Sequence, residues 1–131
     1  MAANTDLSTL LATMQPSLDP VTYVWATVER VPDGVTPVAT IREDEGLTVV
    51  CSQDEADAVG LDYTFPCARV TLDVHSSLEA VGLTAAFAAA LGKAGISANV
   101  VAGYHHDHIF VPVDRADDAV EALEWLAASA Q

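Results

Sequence analysis

Four histidines and two aspartates fall where they could do chemistry together. His105, His106 and His108 crowd one short segment with Asp107 between them. His75 follows Asp73 by two residues, and Ser76 and Ser77 come next. Imidazoles beside a carboxylate can hold zinc or a similar metal, and His75, His106 and His108 are the candidate ligands. Their spacing matches no standard metal motif, and no thiolate pair accompanies them. Hydrogen-bonded histidines that stabilise a sheet edge, or touch a ligand, are the alternative. Asp73 and His75 share one face of a strand, so the carboxylate could orient the imidazole toward a Ser76 or Ser77 nucleophile. Neither a Gly-x-Ser-x-Gly elbow nor a glycine-rich phosphate loop is present. No residue is therefore assigned as catalytic, and the expectation is a protein that is not an enzyme and needs no cofactor.

The elements that position these residues follow from periodicity. Val70, Leu72 and Val74 alternate with Thr71, Asp73 and His75, the period of a half-buried strand over Ala68–Val74. Ser76 and Glu79 have capping-box spacing, and Gly82 then interrupts. Leu83, Phe87, Ala90, Leu91 and Ala94 mark one face of a helix over Leu83–Ala94, stopped by Gly95. Ile96–Val113 reads as a hairpin turning at Tyr104-His105-His106-Asp107. Asp114–Ala127 reads as a second helix capped by Asp114, with Ala116, Val120, Leu123 and Ala127 inward. The order is β-α-β-β-α. It brings the end of the first strand beside the start of the third, and so His75 beside His108.

The first half echoes this order. Tyr23–Val28 reads as a strand. Val38–Arg42 and Leu47–Cys51 read as a hairpin around Glu43-Asp44-Glu45-Gly46, and Gln53–Val59 as a short acidic helix. Ala56-Asp57-Ala58-Val59 parallels Asp117-Asp118-Ala119-Val120, as in a diverged repeat. Pro32, Gly34 and Pro37 leave no room for a crossover helix in Glu29–Pro37. Leu7–Met14, capped by Asp6, is a helix available to cover that gap. The expected fold is α+β, with two tandem units over residues 1–62 and 63–131 and antiparallel sheets carrying helices on one face.

Composition limits the partners. Across 131 residues, 19 acids against 5 bases give a formal charge of −14. Nucleic acid and anionic membranes would repel such a surface. The N-terminal segment does not read as a secretory signal, and Cys51 and Cys67 in apolar surroundings suit reduced, buried thiols. The expectation is a cytoplasmic protein. Tyr23, Trp25, Phe110 and Trp125 are read as core by default; an uncovered sheet face would make self-association, as a homodimer, plausible.

Several stretches resemble the ACT-domain superfamily, and in particular bacterial stand-alone proteins carrying two ACT-like units. They are residues 45–50, 72–83, 95–101 and 103–112, as in Glu45-Gly46-Leu47-Thr48-Val49-Val50 and Gly95-Ile96-Ser97-Ala98-Asn99-Val100-Val101. The resemblance implies a ferredoxin-like fold and a small-molecule ligand, commonly an amino acid, between units. It implies ligand contacts from the loop Asp73, His75, Ser76, Ser77, Leu78, Val81, Gly82 and Leu83. It also implies contacts from the strand holding Asn99 and Val100, with Glu45 and Thr48 from the other half. The common form has an acidic residue followed closely by Pro-Gly; here the longer insert His75–Val81 precedes Gly82-Leu83. The chemistry of the loop agrees with binding. A helix N-terminus suits a carboxylate, and Asp73 or Glu45 suits an ammonium. A structural or interaction protein without ligand is the competing expectation, and a histidine-edge metal protein the third.

Overall fold

The computed structural model describes residues 6–74 and 81–130. In chain order these form α1 (Leu7–Thr13), β1 (Gln15–Val28), β2 (Ala39–Glu43), β3 (Gly46–Ser52), α2 (Gln53–Ala58), β4 (Thr64–Asp73), α3 (Leu83–Lys93), β5 (Asn99–Ala102), β6 (Asp107–Pro112), a 3-10 turn (Val113–Arg115) and α4 (Ala116–Ser129). The strands make one six-stranded sheet in the order β2-β3-β1-β4-β6-β5, with every neighbouring pair antiparallel. In β2-β3-β1-β4, β4 stands where a ferredoxin-like unit has its fourth strand. In β1-β4-β6-β5, β1 stands in that place. Each half thus completes the other's sheet.

Strand alternation sorts the side chains. Ala68, Val70 and Leu72 of β4 join Ile109 and Val111 of β6 under Leu83, Phe87 and Leu91 of α3 and Ala119, Leu123 and Ala127 of α4. On the same sheet face, Val24, Val49 and Cys51 pack with Ala56 of α2 and with Val35 from the irregular segment after β1. That segment forms no crossover helix, as its prolines dictate. The helix-free face carries Tyr23, Val50, Cys67 and Phe110, with Trp25 and Phe65 against them. Both cysteines are free and buried.

Five expectations need correction. β1 begins at Gln15, not Tyr23. Pro16 and Pro20 argue against a strand, but residues 15–18 pair only with β4, leaving their other side as an edge that tolerates proline. A bulge between Leu18 and Thr22 accommodates Pro20. Helix α1, capped by Asp6, does not cover the gap in the first half: Leu10 and Met14 join the core beneath α3 and α4. The β5–β6 ladder closes at Ala102↔Asp107, so the turn is Gly103–His106 and Asp107 lies in the strand. Asp114 sits in the 3-10 turn, and α4 starts at Ala116 without a side-chain cap. Its buried stripe is accordingly Ala119, Leu123 and Ala127, with Ala116 and Val120 only partly covered. Trp125 is 68% exposed rather than core, because that stripe turns it away from the sheet.

Candidate functional site

The end of β4 meets the start of β6, as the element order requires. Thr71 pairs with His108 and Leu72 with Asp107. The ladder partner of His108 is therefore Thr71 and not the expected His75, because the β4–β6 register is shifted by four residues from that expectation; His75, Ser76, Ser77 and Leu78 themselves lie outside the described residues. Asp73 ends β4 with an exposed side chain. Val81 is 83% exposed. Gly82 opens α3 in a left-handed conformation, φ 94°, and among the described residues no side chain caps the helix. A Cβ at Gly82 would stand 3.0 Å from Leu7 Cδ2, so α1 packs against this turn and only glycine meets both conditions. Leu83 is buried in the core, leaving its backbone as the part available to a ligand. The first-turn N–H groups of an uncapped helix, together with its dipole, favour an anion.

Asn99 and Val100 lie on β5, an outer strand of the sheet. Asn99 is exposed and Val100 partly covered. Glu45 and Thr48 lie elsewhere. Leu47 pairs with Val28 at one end of β1, and Asp73 with Gln15 at the other. Thirteen residues of strand separate these pairs, roughly 40 Å at strand spacing. One chain therefore does not bring Glu45 and Thr48 to Asp73.

The histidines divide by role. His108 Nδ1 lies 3.0 Å from Thr71 Oγ1. Its ring covers Gly103, where a Cβ would stand 3.2 Å from Nε2 and 2.8 Å from the His106 carbonyl oxygen. Burial holds His108 below the usual histidine range, and Arg69 and His106 push it the same way, while Asp107 opposes them. Burial raises the Asp107 carboxyl against the pull of His108 and His106. His106 Nδ1 is buried without a partner. His105 is exposed and meets the Tyr104 ring at 5.0 Å. Among the described residues no group of three or more histidine, cysteine or acidic side chains is placed to share a metal.

A polar network on the helix-free face escaped the sequence reading. Arg69 Nη2 donates to Asp19 Oδ2 at 2.7 Å, and the Tyr23 hydroxyl donates to the same oxygen at 2.7 Å. The guanidinium lies 5.1 Å from the Tyr23 ring centroid. Burial, and then the Asp19 bond, push the Tyr23 hydroxyl up to about 12. Asp19 and Arg69 are fifty residues apart in sequence, and the antiparallel run that reaches Leu18↔Val70 carries them to neighbouring positions just before the bulge.

Two matches to the ACT domain cover residues 2–68 and 65–124. The chain belongs to the ACT-domain family. The ACT fold extends across solved structures. VC0802 of Vibrio cholerae, a protein of unknown function and possible transport protein, is 48% identical, with a TM-score of 0.84 over 92% of this chain and 95% of that one. Atu0741 of Agrobacterium tumefaciens shares the fold at 20% identity and TM-score 0.73, covering 87% of this chain and 89% of its own. The regulatory subunit of aspartate kinase from Thermus thermophilus shares it at 13% identity and TM-score 0.65, over 88% and 97%. No curated protein matches the sequence. Among the described residues of this ACT protein, no helix is long and apolar enough to cross a membrane.

Proposed function

We propose that this protein is a regulatory module that binds a small molecule, an amino acid, where ACT units meet. The observation that carries this reading is the N-terminus of α3, opened by left-handed Gly82 with no capping side chain among the described residues, as the element that follows β4 and its exposed Asp73 in the chain. The helix terminus takes the ligand carboxylate, and Asp73 takes its ammonium. The loop from His75 to Leu78, with Val81 and the backbone at Leu83, encloses the body. Asn99 and Val100 supply the edge strand of a neighbouring unit. Glu45 and Thr48 reach this site only from a second copy, which makes the working form a homodimer. ACT membership and the shared fold of a regulatory subunit support a binding role over a catalytic one, and the two free thiols support a cytoplasmic setting. Residues 1–62 and 63–131 act as the two units, and ligand bound between units biases their relative orientation.

Calorimetry against the twenty amino acids tests this. One or a few should bind saturably, and Asp73→Asn, at an exposed position, should weaken that ligand about tenfold. Absence of binding across the panel refutes an amino-acid ligand. Substitution of Gly82 is a poor probe, because its backbone and Leu7 make it part of the fold.

A further inference from the structure

A second hollow lies at the opposite end of the sheet, on its helix-free face. The β1–β4 pairing stops at Trp25↔Thr64, while β1–β3 continues to Val28↔Leu47. The chain entering β4 swings away and leaves a cavity of about 400 Å³. Trp25 supplies its aromatic wall, and Tyr63 borders it while packing toward α2 with Val24, Cys51 and Ala56. Thr27, Thr48 and Thr64 supply hydroxyls, and Asp62 a carboxylate. That volume lies within the range of small-molecule pockets.

The walls are fixed in place. Trp25 packs edge-on against Phe110, centroids 5.7 Å apart at 89°. Its indole N–H is buried without a full hydrogen bond. Burial pushes the Cys67 thiol, in the same cluster, up to about 11. The Tyr63 hydroxyl accepts from Gln53 Nε2 at 3.1 Å and donates to Asp57 at 2.9 Å. Phe65, immediately before Pro66, has φ 58°. A bulky residue before proline strongly favours extended backbone, so this conformation is strained. Strain of this kind gathers at ligand clamps, and here it falls at the irregularity between Tyr23↔Cys67 and Trp25↔Thr64, the last β1–β4 pair.

We propose that this hollow binds a small organic ammonium. Aromatic faces attract a cation through their quadrupoles. Asp62 adds a full negative charge, and the threonine hydroxyls accept N–H bonds. None of the described lining residues is basic, and a net charge of −14 concentrates cations at the surface and repels anions. Thr48 is shared with the contacts proposed for a second copy at the amino-acid site, but Trp25, Asp62 and Thr64 belong to this hollow alone, so a response at Trp25 and Thr64 without one at residues 72–83 separates the two proposals.

The test is an NMR titration of the full chain. Trp125→Phe, at an exposed position, identifies which of the two indole signals belongs to Trp25. Tetramethylammonium and n-propylammonium chlorides are the probes. Propanol, propanoate and sodium chloride are the controls. Both ammonium salts should shift the Trp25 indole and the Thr48 and Thr64 amides saturably in the millimolar range, and the controls should not. Asp62→Asn should weaken the response about fivefold. No saturable shift, an equal shift with propanol, or a response unchanged in Asp62→Asn overturns the proposal.

Discussion

Removing the Asp19 carboxylate should unsettle the helix-free face by a calculable amount. Asp19 accepts from the Val21 N–H at 2.9 Å, from the Tyr23 hydroxyl at 2.7 Å and from Arg69 at 2.7 Å. Arg69 Nε is already buried without a partner, so losing Asp19 leaves a poorly solvated cation with a further unmet donor. Breaking a fully buried pair costs about 3–5 kcal/mol, and an exposed pair about 0–1 kcal/mol. These side chains are 25% and 18% exposed, which discounts the cost for Asp19→Ala to about 2–3 kcal/mol. Asp19→Asn keeps an acceptor and should cost about 1–2 kcal/mol. Urea unfolding measures both, and adding Arg69→Met to Asp19→Ala should recover part of the loss. The pH dependence has a definite sign. Burial raises the Asp19 carboxyl, but bonds from Tyr23, Val21 and Arg69 together outweigh it and hold it below 3.8. Its stabilisation is therefore complete above pH 3.8 and fades as pH falls through the lower folded value. The gap between wild type and Asp19→Ala should narrow only in that acid range. A loss under about 0.5 kcal/mol at pH 7, or a gap independent of acid, refutes the reasoning.

Two further predictions concern the other end of the sheet and the N-terminal helix. His108 is held below 6.5 by burial, Arg69 and His106, so its contribution is present above 6.5 and lost as pH falls through the folded value. Stability measured from pH 7 to pH 5 should fall less steeply in His108→Gln than in wild type; equal slopes contradict the assignment. Leu10 is 1% exposed in the α3–α4 core, so Leu10→Ala should cost about 2–5 kcal/mol in urea unfolding. A small cost there would mean that α1 does not belong to that core.

The second half was legible because its signals agree. Period-two apolar residues in β4, the 3.6-residue stripe of α3 and the Gly95 stop all point to one topology, and the adjacency of β4 and β6 follows from it, although their register, with Thr71 rather than His75 opposite His108, does not. The start of β1, residues 15–22, was harder. Pro16, Asp19 and Pro20 oppose a strand locally, and only the free edge and the bulge permit one. Trp125 misled because an aromatic on an amphipathic helix is usually inward, yet it lies off the buried stripe by its angular position alone. For the proposed site, the sequence placed Asp73 at a strand end, Gly82 ahead of a helix and Asn99 in a strand, and these positions hold; their contact with a ligand is the proposal. The Asp19–Arg69–Tyr23 network was not, because no local pattern announces a contact between residues fifty apart in sequence. The distance of Glu45 and Thr48 from Asp73 was equally hidden. It depends on the two halves sharing one sheet end to end, rather than facing each other.

The most direct measurement is an amide-resolved NMR titration with whichever amino acid calorimetry selects. Shifts should concentrate at residues 72–83 and 98–102 and saturate only at about tenfold higher ligand in Asp73→Asn. Shifts confined to the α3–α4 surface or to the Trp25 hollow, with residues 72–83 silent, would contradict the account.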